Sequence, residues 1–235
     1  MTTRKPARTS GASEVDAFLR KVAATPAVKS STRLGRLMFA MDATASREPT
    51  WDHACHIQAQ MFEETESLGG LEIQLCHYRG FNEFKASDWL TNAADLRQRM
   101  AAVRCLGGHT QIRKVLRHAL HETRSRTPDA LVFVGDCMEE NIDALCQLAG
   151  ELGIHKVPAF MFHEGSDPVA ERAFRQIARL TGGAYCPFDA GSAQQLRDLL
   201  SAVAVYAAGG RHALERYSDT HGGKAKLLTK QLTQD

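Results

Sequence analysis

No two of the chain's six cysteines form a CxxC pair, and the six are scattered at positions 55, 76, 105, 137, 146 and 186. A disulfide framework belongs to small secreted chains, so this pattern reads as reduced thiols in a cytoplasmic protein. No run is long and apolar enough to span a bilayer, and the N-terminus lacks the hydrophobic core of a signal peptide. Excess charge is missing too. The formal balance is +2, which is too little to point to nucleic acid or to a membrane surface. There is no Walker loop, no Gly-x-Ser-x-Gly elbow and no dinucleotide fingerprint. These absences exclude the commonest nucleotide-binding and serine-hydrolase designs.

What remains is ordinary globular composition, 43% hydrophobic and 24% charged over 235 residues. A domain of that size buries roughly 70–75% of its unfolded surface and needs no staples. Three regions are expected: residues 1–32 as an N-terminal tail, 33–209 as one domain, and 210–235 as a polar, basic C-terminal tail. "MTTRKPARTSGAS" reads as disordered. "SEVDAFLRKVA" reads as a short amphipathic helix, with a capping box at Ser13 and Asp16 and a stripe of Val15, Phe18, Leu19 and Val22.

From residue 36 strands and helices alternate. "RLMFAM", "LEIQLCHYRG", "DALVFVGD", "KVPAFMFHEG" and "AYCPF" read as strands, and "FNEFKAS" as a short edge strand. Helices are expected at Trp51–Leu68, in "SDWLTNAADLRQRMAAV", after "LGGHT", in "NIDALCQLAGELG", from Pro168, and in "SAQQLRDLLSAVAVYAAGG". In the Pro168 helix, Asp167 is a cap and Val169, Ala173, Ile177 and Leu180 form the expected apolar stripe. Residues 37–41 and 131–134 are hydrophobic on both faces, as central parallel strands must be. The fold class is therefore α/β: a three-layer, doubly wound, mostly parallel sheet with helices on both faces.

Open parallel sheets bind ligands beyond the carboxyl ends of their strands. Three polar clusters fall there: Asp42, Thr44 and Ser46 in "DATAS"; Thr110 in "GGHT"; and Asp136 after "FVG". All five side chains offer oxygen, the donor that hard cations prefer. In an extended segment, residues two apart point the same way, so Asp42, Thr44 and Ser46 are expected to converge with Ala43 and Ala45 turned away. Glycines before Thr110 would let its loop approach closely.

These motifs resemble the von Willebrand factor type A (VWA) family, which carries the metal-ion-dependent adhesion site (MIDAS). The family's pattern is Asp-x-Ser-x-Ser, a loop threonine and a later strand-end aspartate, and the resemblance covers roughly residues 33–209. It implies a Rossmann-like sheet and Mg²⁺, with Mn²⁺ or Ca²⁺ as alternatives, held by Asp42, Thr44, Ser46, Thr110 and Asp136. It also implies a non-enzymatic module whose protein partner supplies an Asp or Glu to the ion. Two departures stand out: Thr44 where the family usually has serine, and "CMEEN" after Asp136 where it commonly has glycine.

His109 and Glu139 are expected on the partner-binding rim. Glu139 and Glu140 could equally start the next helix, near its positive dipole end. His53 and His56 stand three apart on the expected Trp51 helix, but no further donors complete a zinc site, so they read as structural. The arginines and lysine from Arg97 to Arg126 read as a solvated face. The competing function is a metal-dependent phosphohydrolase of haloacid-dehalogenase type. That chemistry needs a second aspartate two residues after the first, as acid/base, and here the position is Thr44.

Overall fold

The computed structural model describes residues 34–48, 71–188 and 201–207. The expected helices at 13–23 and Trp51–Leu68, His53 and His56, Cys55 and both tails lie outside the described residues.

Six strands form one sheet in the order β3-β2-β1-β4-β5-β6. They are β1 (Gly35–Asp42), β2 (Leu71–Arg79), β3 (Glu83–Leu90), β4 (Ala130–Gly135), β5 (Ala159–Glu164) and β6 (Ala184–Phe188). All neighbours pair parallel except β2 and β3, which form an antiparallel pair at one edge. Strand order reverses between β1 and β4, which places the switch point of the sheet at the ends of these two strands.

Period-two alternation divides the central strands between two cores. Leu37, Phe39, Met41, Val132, Val134, Phe160 and Phe162 face one side. Met38, Ala40, Leu131, Phe133, Ala159 and Met161 face the other. The first side is covered by α1 (Ala93–Ala101), through Leu96 and Met100, and by the helical residues 201–207. The second is covered by α2 (Ile112–Glu122), α3 (Ile142–Ile154) and α4 (Pro168–Thr181). Each fully buried Leu, Phe or Met side chain contributes roughly 1.5–3 kcal/mol.

The helix starts follow the sequence. The side chains of Asn92, Asn141 and Asp167 accept the first free N–H groups of α1, α3 and α4. Gly182, at φ 72°, closes α4 in the left-handed conformation. No helix among the described residues is long and apolar enough to cross a membrane.

Two expectations are corrected. The edge strand does not stop at Ser87 but runs to Leu90, so α1 starts at Ala93. Trp89 explains this. It sits under the Arg36 guanidinium, 4.5 Å from the ring centre, and its Nε1–H donates to Glu122 at 2.8 Å. Extended backbone is what lets one side chain reach both. In α4, Val169 and Leu180 are exposed; the buried stripe is Ala170, Ala173, Phe174, Ile177, Ala178 and Thr181. The expected stripe was rotated by about one residue, because Ala170 rather than Val169 meets the sheet side.

Candidate metal centre

Asp42 ends β1 with no solvent exposure, and Asp136 follows β4. Their strands are hydrogen-bonded neighbours, so the switch point carries two carboxylates side by side. One oxygen from each, together with Cys137 Sγ, lies within 4.8 Å of the others. Gly135 makes this proximity possible: a Cβ there would strike the Phe133 ring at 2.8 Å and touch Asp42 Cβ at 3.6 Å.

Asp42 is held from two directions. Thr44 N–H donates to its Oδ1 at 2.7 Å, and the Tyr78 hydroxyl on β2 donates to its Oδ2 at 3.0 Å. Burial raises its pKa above the usual carboxylate range, the bonds from Thr44 oppose that, and the Asp136 charge adds to it. Asp136 is less well supplied. Its buried Oδ1 has no hydrogen-bond partner among the described residues. Its backbone carbonyl accepts the Nε2–H of buried His163 at 3.2 Å, while His163 Nδ1 accepts the Tyr185 hydroxyl at 2.9 Å. Burial pushes the Cys137 thiol up to about 12, and the charges of Asp136 and Asp42 push the same way.

The hydroxyls are arranged differently from the expectation. Residues 42–46 are not one extended segment. Thr44 is extended, but Ala45–Arg47 form a 3-10 turn, and this turn brings Thr44 Oγ1 to 3.1 Å from Ser46 Oγ. Ala43 is indeed buried away, whereas Ala45 is exposed. The turn is anchored by Arg47, whose fully buried side chain reaches Glu164 at the end of β5, 3.2 Å away.

Thr110 arrives on a loop stitched to the same edge. Leu106 N–H donates to Ala43 O at 3.0 Å, and His109 N–H to Gly80 O at 3.2 Å. The Gln111 side chain donates to the carbonyls of Arg79 and Gly80, both at 3.1 Å. Gly108 packs directly on the Gly80 backbone, where a Cβ would overlap it; Gly107 has open space. Of the two glycines, only Gly108 is required by close approach.

Glu139 and Glu140 lock this loop to the end of β4. Thr110 N–H donates to Glu139 Oε2 at 3.1 Å, and Glu139 N–H returns a bond to Thr110 Oγ1 at 3.0 Å. Glu140 accepts the first N–H groups of α2, from Ile112 at 2.5 Å and Arg113 at 3.0 Å. It thereby caps a helix whose own N-cap residue, Gln111, provides no side-chain bond. His109 is exposed, 3.3 Å from Glu139 through Nδ1 and edge-on to the exposed Phe81 ring.

The structure thus brings Asp42 and Asp136 together, pairs Thr44 with Ser46, and ties Thr110 and His109 to Glu139. Two contributors and the capping role of Glu140 escaped sequence reasoning. Tyr78 lies on a different strand from Asp42, and only register reveals it. Cys137 had its signal in adjacency to Asp136. Glu140's cap comes from 28 residues downstream of the N–H it accepts, so no local pattern announces it.

No protein-family model matches the sequence, and no curated protein does. Solved structures do. The SpRpn10 VWA domain superposes with a TM-score of 0.58 at 15% identity, over 72% of this chain and 94% of that one. Proximal thread matrix protein 1 from the mussel byssus, described with a zinc-occupied MIDAS motif, gives 0.58 at 14% identity, over 73% of this chain and 45% of its own. The pilus adhesin SpaC from Lactobacillus rhamnosus GG gives 0.56 at 12% identity, over 82% of this chain and 31% of its own. This chain thus spans less than half the length of the mussel protein and of the adhesin. With the strand order, the adjacent Asp42 and Asp136 carboxylates and the stitched Thr110 loop already in place, these likenesses identify the architecture as the von Willebrand factor type A fold.

Proposed function

We propose that this chain is a divalent-metal-dependent protein-interaction module. Asp42 and Asp136 hold the ion, the hydroxyls of Thr44, Ser46 and Thr110 line it, and a partner's Asp or Glu side chain completes it. The observation that carries this reading is the orphaned, buried Oδ1 of Asp136 beside the buried Asp42 carboxylate. Two adjacent carboxylates without a cation are costly. A divalent ion offsets both charges, and the neutral hydroxyls leave it electrophilic enough to take an acidic ligand. The zinc-occupied motif described for the mussel protein supports a metal at this place in the fold.

The exposed His109 and Glu139, with Phe81 and Leu106 nearby, supply the rim a partner would touch. A phosphohydrolase reading is weaker. The acid/base position is Thr44, whose hydroxyl is engaged with Ser46.

Calorimetry with Mg²⁺, Mn²⁺ and Zn²⁺ on wild type and Asp42→Ala tests the metal. Pull-downs with both proteins, with and without ion, test the partner. Saturable binding lost in Asp42→Ala is expected. Heat-silent titrations with all three ions would end the proposal.

A further inference from the structure

We infer that Cys137 is a direct ligand of the ion at this centre, and that its sulfur tunes the site toward zinc-class ions over magnesium. This rests on the metal-dependent reading above and deepens it by naming the class of ion.

Cys137 follows Asp136 where the β4 chain leaves the sheet, and its Sγ falls within the same 4.8 Å cluster as the two carboxylates. It is only half-buried, and its neighbour Met138 is packed into the core below. Cys137 is thus the more exposed neighbour of a fully buried Asp42. A cysteine beside a carboxylate is not by itself a ligand. The independent observation is Asp136 Oδ1, a buried oxygen of the same carboxylate, which has no hydrogen-bond partner among the described residues. Cys137 is unbridged, so its sulfur is available.

Donor chemistry then decides the ion. Two carboxylates and hydroxyls alone make a hard site suited to Mg²⁺, Mn²⁺ or Ca²⁺. Adding one thiolate changes the ranking, because Mg²⁺ gains little from sulfur while Zn²⁺ and Co²⁺ bind it well. Binding replaces the S–H bond with a sulfur–metal bond and releases that proton to solvent. Two carboxylates and one thiolate together carry one more negative charge than a divalent ion. The loaded site is thus less electrophilic than an all-oxygen one.

The test uses the full chain with Co²⁺, Zn²⁺ and Mg²⁺ as probes. Wild type loaded with Co²⁺ is expected to show a sulfur-to-cobalt charge-transfer band in the near-ultraviolet, and to release a proton on binding Zn²⁺. Cys137→Ser is expected to lose the band and to weaken Zn²⁺ by roughly tenfold or more. It should also narrow the Zn²⁺-to-Mg²⁺ preference, since serine keeps a hard donor. Circular dichroism verifies the fold, and Cys137→Ala supplies a second variant with no donor at all. If Mg²⁺ binds wild type as tightly as Zn²⁺ and cobalt gives no band, the sulfur assignment is overturned while the metal-dependent reading stands. A band that persists in Cys137→Ser places the sulfur on another cysteine and overturns it as well. If none of the three ions binds wild type, both fail.

Discussion

Tyr78 donates its hydroxyl to Asp42 Oδ2 from the neighbouring strand, at 3.0 Å, and the two residues are register partners in the β1–β2 ladder. Tyr78 is fully buried, and burial together with the Asp42 charge holds its phenol protonated, far above the usual range. The phenol is thus a permanent donor to a buried carboxylate. With the Thr44 N–H on the other oxygen, it orients Asp42 and still leaves lone pairs free, since a carboxylate offers about four. Asp42 is positioned before any ion arrives, and the energetic cost of that preparation is carried by the fold.

Asp42→Asn is expected to stabilise the metal-free protein while abolishing its response to metal. The folded-state pKa of Asp42 is raised, mainly by burial and further by Asp136, so its ionised form is destabilising at neutral pH. An asparagine accepts the Thr44 N–H through its oxygen. Its amide can donate to the Tyr78 hydroxyl, which turns to accept. The charge is removed with the hydrogen bonds kept. Thermal melts without ion should show a higher Tm for the variant, about 2–4 °C for each kcal/mol gained in a domain of this size. Added Zn²⁺ or Mn²⁺ should raise Tm in wild type alone. A metal-free variant that melts lower than wild type would make the carboxylate a structural group.

Gly108→Ala is expected to damage the site more than the fold. A Cβ at this position overlaps the Gly80 carbonyl carbon and oxygen, which are backbone and cannot swing aside. The Gly80 carbonyl also accepts from His109 and Gln111. Displacing the loop loosens these bonds and withdraws Thr110, while the α2 face made by Ile112, Val115 and Leu116 stays in the core. Metal affinity is expected to fall by about tenfold. Stability should drop by roughly 1–3 kcal/mol, the usual range for overpacking. Gly107→Ala, with open space around the new methyl, is the matched control and should change neither.

The sheet was legible in the sequence because its central strands are apolar on both faces, and only parallel strands covered by helices read that way. Residues 37–41 and 131–134 fall in β1 and β4, at the centre. The ends of those strands then located the aspartates. Local backbone was less legible. The turn at Ala45–Arg47 depends on Arg47 reaching Glu164, a contact that crosses the sheet. The late start of α1 depends on Trp89 meeting Arg36 and Glu122, on two other elements. Propensity sees neither. Within the site, close sequence neighbours such as Asp42 and Thr44 could be found by spacing. Tyr78 and Glu140 act across 36 and 28 residues, and only the assembled register brings them in.

Stability is expected to fall steadily as the medium is acidified below neutrality, through three histidines held neutral. Burial lowers the pKa of His77 to about 4, helped by the charges of Arg79 and Lys85. Burial likewise lowers those of His118 and His163. In the unfolded chain each titrates near 6.5. As pH drops through about 6.5, the unfolded state takes up protons that the folded state refuses, so unfolding becomes easier. The loss begins there and continues down to about 4, where folded His77 also takes its proton. Asp42 and Glu140 act in the opposite direction, since burial raises both pKa values and so favours the protonated folded state on acidification, but they are two groups against three. Urea midpoints measured from pH 7.5 down to 4.5 should therefore decrease throughout. His77→Gln should flatten part of that slope, because it removes the histidine held down at about 4 and leaves a neutral side chain near Arg79 and Lys85. A wild-type midpoint that is level or rises over this interval would show that these histidines accept protons in the folded state.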